Sequence, residues 1–198
     1  MTSDAERWNA RYRTYSARRP PAPFLLEVAD LLPERGRAID LAGGDGRHAV
    51  WLAERGLEVT CCDVSPVGLA LAQGHAAAAG VALACVELDL EAGPAPAGPW
   101  DLVLCSYFLS RPLLATIAEL LAPEGLLVFW HPTRSNLQRN PRPGERFVLE
   151  DGELPSLVPG LEPVRYDEGW RANGVHEARL VARRRGSPGA AARVEWRA

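Results

Sequence analysis

The chain lacks a surplus of positive charge. Across 198 residues the formal charge is −3, whereas proteins that grip duplex DNA or RNA displace counterions with a strongly basic face. Nucleic acid is therefore not an expected partner. Long apolar runs are absent too: the longest, Ala76 to Val86, is interrupted by Gly80 and too short to span a bilayer. The opening MTSDAERWNARYR is charged and amphipathic, without the basic stub and apolar stretch of a signal peptide, so the expected location is the cytoplasm, with no membrane partner. Cysteine is scarce. Cys61, Cys62, Cys85 and Cys105 lie in apolar, strand-like segments without the spacing of a zinc site or redox motif, and read as small buried hydrophobes. His48, His75, His131 and His176 are dispersed with no i, i+4 pair of the metalloprotease kind. No bound metal is expected, and there is no internal repeat.

An apolar content of 47% is enough for one buried core. Short β-branched or apolar runs at 37–42, 57–62, 83–88, 101–106 and 125–131 alternate with helical patterns at 46–55, 66–79 and 112–121, the signal for parallel βαβ units. Residues 5–17 and 22–32 read as two helices divided by Pro20 and Pro21. After the fifth strand, HPTRSNLQRNPRPGERF is long for a connection in a compact domain and suits a lid or binding segment. A short helix at 150–157 and strands at 161–167 and 176–184 follow, and Asn173-Gly174 between the strands suits a reversing hairpin. The expected fold is α/β, with an antiparallel pair ending the sheet. Residues 1–185 are expected to form one domain, with N-terminal helices or a lid at 1–33, a substrate-side loop at 132–148 and a loosely ordered tail at 186–198.

Chemistry is concentrated in AIDLAGGDGRHAVWLAERG, residues 38–56. Glycines in a strand-turn-helix unit permit positive φ and let a ligand approach the main chain, while free amides at the helix start favour anionic or acceptor groups. Asp63 ends the next strand 20 residues after Gly43, placed to accept both hydroxyls of a ribose. NAD and S-adenosylmethionine both satisfy that geometry. A second acid at the next strand tip, Asp89 in Val86-Glu87-Leu88-Asp89-Leu90, favours the latter: its carboxylate suits an adenine amine, and the Leu90 amide suits the ring.

In these motifs the chain resembles the class I S-adenosylmethionine-dependent methyltransferases. AIDLAGGDGRHAVWLAERG is similar to their first motif, VTCCDVSP to the strand ending in the ribose acid and LDLEAG to the adenine-side motif, and the match continues through DLVLCSYFLSRPLL and LLAPEGLLVF. RWNARY and FVLEDGEL resemble the small tellurite-resistance and thiol methyltransferase-like branch. The resemblance covers about Ala5 to Arg185 and implies a Rossmann-like, doubly wound seven-stranded sheet of order 3-2-1-4-5-7-6, last strand antiparallel, with helices on both faces. Three departures stand out. Gly43 replaces a frequent Cys, Asp45 a frequent Thr or Ser, and Pro123-Glu124-Gly125 the usual Pro-Gly-Gly turn. Cys105-Ser106-Tyr107-Phe108 is not the Asn/Asp-Pro-Pro-aromatic signature of amino-directed nucleic acid methyltransferases.

The resemblance implies cofactor contacts from Asp40, Ala42, Gly43, Gly44, Gly46, Arg47, Asp63, Val64, Ser65, Asp89, Leu90, Cys105, Ser106 and Tyr107. Trp8 and Tyr12, i and i+4 on one helix face, and Phe108 and Arg111 after the fourth strand are candidate acceptor-pocket residues. His131 is the best-placed candidate base, against a structural role beside Pro132. Arg134, Arg139, Arg142 and Arg146 either draw in an anionic acceptor or are solvated surface. The expected function is methyl transfer from S-adenosylmethionine to a small molecule, a thiol or chalcogen oxyanion by family analogy, in a monomer or homodimer. Its rivals are a non-catalytic cofactor-binding or partner module and an NAD-dependent oxidoreductase.

Overall fold

In the computed structural model, which describes residues 3–15 and 17–186, seven strands form one sheet: β1 (Arg37–Leu41), β2 (Glu58–Asp63), β3 (Ala84–Glu87), β4 (Trp100–Ser106), β5 (Leu121–Pro132), β6 (Leu161–Trp170) and β7 (His176–Arg184). Their order is β3-β2-β1-β4-β5-β7-β6. The first five pair in parallel, while β7 runs antiparallel to both β5 and β6. This is the expected class I order. Chain direction across the sheet reverses between β1 and β4, and open α/β sheets bind ligands beyond the strand ends at such a point.

Helices cover both faces because the central strands are apolar on both. Ala38, Leu102, Leu104, Val128 and Trp130 pack on one side with Phe24, Leu52 and Ala72. Ile39, Val103, Cys105, Leu127 and Phe129 pack on the other with Leu114, Ile117 and Leu154. The alternation is the two-residue strand period, read on two buried faces at once. Helices α2 (Pro23–Glu27), α3 (Arg47–Glu54) and α4 (Pro66–Ala79) lie on the first face and α5 (Arg111–Leu120) on the second. The amphipathic α1 (Asp4–Tyr12) opens on a capping box, in which Ser3 and Glu6 satisfy each other's amides, and packs against α4.

Several boundaries differ from the sequence pattern. The first helix stops at Tyr12 rather than Ala17, where the Thr14 hydroxyl donates to the Arg11 carbonyl at 2.7 Å and offers the backbone an alternative to another helical turn. The second breaks after Glu27 into a 3-10 turn, Ala29–Leu31. The expected helix at 150–157 is only a 3-10 turn, Leu154–Leu157, with Pro155 inside it. Strand β5 starts four residues earlier than its apolar run, because Leu121 already pairs with Trp100 before a register shift. The connection after β5 is structured by 3-10 turns at Arg134–Gln138 and Glu145–Phe147. All but the first residue of the expected loose tail, 187–198, lies outside the described residues.

Candidate active site

The loops after β1, β2, β3 and β4 and the segment following β5 surround one cleft of about 940 Å³. Ala42, Gly43, Arg47, Asp63, Val64, Asp89, Leu90, Ser106, Tyr107, Trp8, Tyr12, Phe108 and His131 border it, as do Asp45, His48 and Phe147. The structure thus brings 13 of the 19 sequence candidates to one cavity. Asp40, Gly44, Gly46, Ser65, Cys105 and Arg111 stand behind or beside it.

The glycine turn has internal reasons for lacking side chains. A Cβ on Gly43 would meet Cys61 Sγ at 2.7 Å and Asp40 Oδ2 at 2.8 Å; on Gly44, already left-handed at φ +59°, it would lie 2.0 Å from the Tyr12 hydroxyl. The absent atoms make room for the protein's own side chains beneath and above the turn. Gly46 caps α3 in a left-handed conformation against Ala72. Asp45 is buried and clamped by Arg19 through a two-pronged ion pair at 2.9 and 3.2 Å. Where the family often has a hydroxyl, a carboxylate therefore ties the turn to the N-terminal segment.

Asp63 sits at the tip of β2 with its oxygens oriented by two amides, Gly44 N–H at 2.9 Å and Ser65 N–H at 2.8 Å. Burial nevertheless pushes its pKa up, so it gains from further donors. Ser65 caps α4 and donates to Asn9 Oδ1 at 2.6 Å, holding α1 against the same strand tip. Asp89 is exposed at the mouth, its Oδ1 accepting the Glu91 amide at 2.9 Å. The burial argument that would favour an adenine contact does not apply to it; its place on the cleft does. Leu90 beside it is buried.

Asp40 is the anomaly. It lies wholly buried under the turn, and neither carboxyl oxygen has a hydrogen-bond partner among the described residues. Desolvation pushes its pKa up to about 8, against the pull of Arg47 and of the nearby Ala49 amide, which falls short of full hydrogen-bond geometry. An orphaned buried carboxyl is costly unless something else partners it. Arg47, half-buried on the cleft wall, forms no ion pair with a described carboxylate, and its own charge is disfavoured by burial.

At the other end of the cleft, Tyr107 follows β4 in a left-handed conformation, φ +55°, which costs on the order of 1 kcal/mol for a side chain of this kind. Its hydroxyl donates to Glu177 Oε2 at 2.9 Å, and Glu177, buried on β7, receives Arg179 Nε at 2.7 Å. Arg179 reaches Glu27 of α2 at 3.3 Å. This chain of charges holds the ring on the cleft wall; desolvation first and Glu177 second raise the phenol's pKa, against the pull of Arg47 and Arg179. The sequence offered no sign of Glu177, because its partner is 70 residues away.

His131 Nε2 donates to the Phe147 carbonyl at 2.7 Å, the only role that acceptor allows. That bond fastens the segment after β5 to the sheet. Nδ1 then carries the lone pair, and it is buried with no partner among the described residues. Burial lowers the pKa to about 4, leaving a neutral ring at physiological pH. Arg111 points elsewhere, forming a two-pronged pair with Glu153 at 2.6 and 2.8 Å and reaching the Val148 carbonyl at 3.3 Å. It braces the outer wall rather than lining the pocket. Cys105 is a buried hydrophobe with its thiol pKa pushed well up. The one grouping of potential metal ligands among the described residues, Asp151, Glu168 and His176, has its donors engaged: Asp151 by Ser135, Glu168 by Gly152 and Tyr166, and His176 by Thr133.

Residues 38–125 match the family described as Methyltransferase domain. Among curated relatives, the chain is 40% identical over 86 residues to an uncharacterized protein of Mycobacterium tuberculosis, covering 43% of this chain and 31% of that protein. It is 32% identical over 110 residues to the tRNA 5-carboxymethoxyuridine methyltransferase of Escherichia coli, covering 50% and 41%. The chain thus spans less than half the length of these relatives. TehB of Haemophilus influenzae shares the fold, with a TM-score of 0.71 at 17% identity over 91% of this chain and 67% of that one. The family match covers residues 38–125, and the sheet around it has the order β3-β2-β1-β4-β5-β7-β6, a fold shared with TehB.

Proposed function

We propose that the protein transfers a methyl group from S-adenosylmethionine to a small-molecule acceptor with a soft nucleophilic atom, a thiol or a chalcogen oxyanion. The observation carrying this reading is the convergence of Asp63, Asp89 and the turn residues Gly43 and Asp45 on one cleft at the chain-reversal point of the sheet. The residues present fit the cofactor: a buried carboxyl without a partner, Asp40, lies by an unpaired guanidinium, Arg47. These two suit the ammonium and carboxylate of a methionine end, as Asp63 suits a ribose and Asp89 with Leu90 an adenine. Bound there, the cofactor supplies a methyl group already activated by a sulfonium leaving group.

The protein's task is then orientation and exclusion of water. Trp8, Tyr107, Phe108 and Phe147 wall the reacting end, and aromatic faces favour a nearby sulfonium charge. A neutral His131 with a free Nδ1 lone pair offers a proton acceptor of low basicity, adequate for an acceptor that arrives ionised and weak for an alcohol or amine. The soft acceptor is further supported by the resemblance of RWNARY and FVLEDGEL to the tellurite-resistance branch. A coupled assay for S-adenosylhomocysteine over thiols, oxyanions, amines and phenols tests the reading, with calorimetric S-adenosylmethionine and NADH titrations beside it. Turnover confined to amines or phenols would overturn the acceptor class. NADH binding in place of the sulfonium cofactor would overturn the activity.

A further inference from the structure

Charge is divided unevenly along the cleft. Its strand-tip acids, Asp63, Asp89 and Glu91, are gathered after β2 and β3. Two others, Asp4 and Asp45, are consumed by Arg7 and Arg19. Three lining arginines remain with no carboxylate partner among the described residues: Arg11 on α1, Arg47 at the start of α3 and Arg142 on the segment after β5. The four arginines of that segment differ in what they do. Arg134 pairs with Glu145 and Glu150, Arg139 covers the Trp170 ring at 3.9 Å and Arg146 covers Phe147 at 4.3 Å. Only Arg142 of the four borders the cleft. On α1, Arg11, which lines the same cleft, lies 5.3 Å from the Trp8 ring centre and its Nε donates to the Tyr15 hydroxyl at 3.0 Å, which preorganises the head while leaving its terminal nitrogens without a described hydrogen bond.

Resting on the methyltransferase reading, we infer that the acceptor is an organic anion, its carboxylate or phosphate held by Arg142 and Arg11 while its apolar body lies among Trp8, Phe108 and Phe147. A methionine carboxylate calls for one cation, and Arg47 is placed for it; two exposed guanidiniums of the lining, Arg11 and Arg142, are left over. Guanidinium forks match planar or tetrahedral oxyanions bidentately. The chain contains no lysine, so every fixed cationic side chain available to an anion is an arginine. The aromatic wall supplies what a bare inorganic oxyanion cannot use, an apolar surface on which a carbon skeleton is desolvated.

The test is binding to protein saturated with S-adenosylhomocysteine, followed by calorimetry and by tryptophan fluorescence. Benzoate, phenyl phosphate, benzyl alcohol and selenite are the probes, and Arg142→Ala, Arg11→Ala and Arg142→Lys the variants. Benzoate or phenyl phosphate is expected to bind saturably and to weaken with added salt, the two arms distinguishing carboxylate from phosphate. Each alanine variant is expected to lose about tenfold in that affinity, consistent with one charge-assisted contact, and Arg142→Lys to recover part of it; S-adenosylhomocysteine affinity stays unchanged. Equal binding of benzyl alcohol, binding of selenite alone, binding of none of the probes, or indifference to both alanine substitutions would overturn the inference. Failure to bind S-adenosylhomocysteine at all would instead sink the methyltransferase reading.

Discussion

The two ends of the cleft are built by different means. At the β1–β3 end, side chains act on backbone close to the motif: Asp63 orders Gly44 and Ser65, and Ser65 caps its own helix. At the β4–β7 end, Tyr107 depends on Glu177, Glu177 on Arg179, and Arg179 on Glu27, 152 residues distant in sequence. A locally built site keeps its shape through neighbouring hydrogen bonds. One assembled over such distances stands or falls with the packing of β7 against β5 and of α2 against the sheet.

Breaking the far end should therefore damage the fold first. Glu177→Ala removes the buried carboxylate shared by Arg179 and the Tyr107 hydroxyl, and is expected to cost about 3 kcal/mol of stability, read by urea denaturation. Once folded at low temperature, this variant should keep its S-adenosylmethionine affinity; parallel loss of affinity would mean the two ends are not separable. Asp63→Ala should behave the opposite way, with cofactor affinity falling by about 2 kcal/mol, or roughly thirtyfold, by calorimetry.

Asp40 sharpens the contrast through pH. Its folded pKa of about 8 lies above the unfolded value of about 4, so the native state holds a proton that the unfolded chain releases. Ligand-free stability should fall as pH rises from about 4 to about 8 and level off beyond. A cationic ligand favours the ionised form, so S-adenosylmethionine affinity should rise over the upper part of that window. Asp40→Asn is expected to flatten both dependences, in thermal melts and in titrations; an unaltered slope would show that another group titrates. The smallest effect concerns Glu124, left-handed at φ +65° in the turn before the apolar part of β5. Glu124→Gly should raise stability by about 1 kcal/mol or less, the strain relieved being partly offset by the flexibility glycine adds to the unfolded chain.

The parallel strands and the closing antiparallel pair were legible because apolar runs and helical periods alternate and Asn173-Gly174 announces the hairpin, whereas the order of the sheet came from the resemblance of the motif series to the class I methyltransferases. The glycine turn, Asp63 and Asp89 were legible because their spacing is local. What was not legible is the use to which each is put. The bareness of Gly44 serves Tyr12, which no spacing rule connects with it. Arg111 follows a strand tip yet turns outward, because Glu153, 42 residues on, is folded against it. Among four arginines in one loop, the one bordering the cleft is distinguished only by what the other three have found to hold. Helix ends failed for a smaller reason: Thr14 and Pro155 redirect the backbone within a single turn.

Tyr12 lies over Gly44 and Gly68, and Asn9 bonds to the serine that starts α4. On the proposed reading, occupancy of this end of the cleft by a nucleoside would be coupled to docking of the first helix, each able to bias the other. Trp8, stacked on Tyr12 at 5.8 Å, makes that coupling audible as fluorescence. A label or fusion that pulls the amino terminus outward would act as an antagonist of the cofactor without ever entering its cavity.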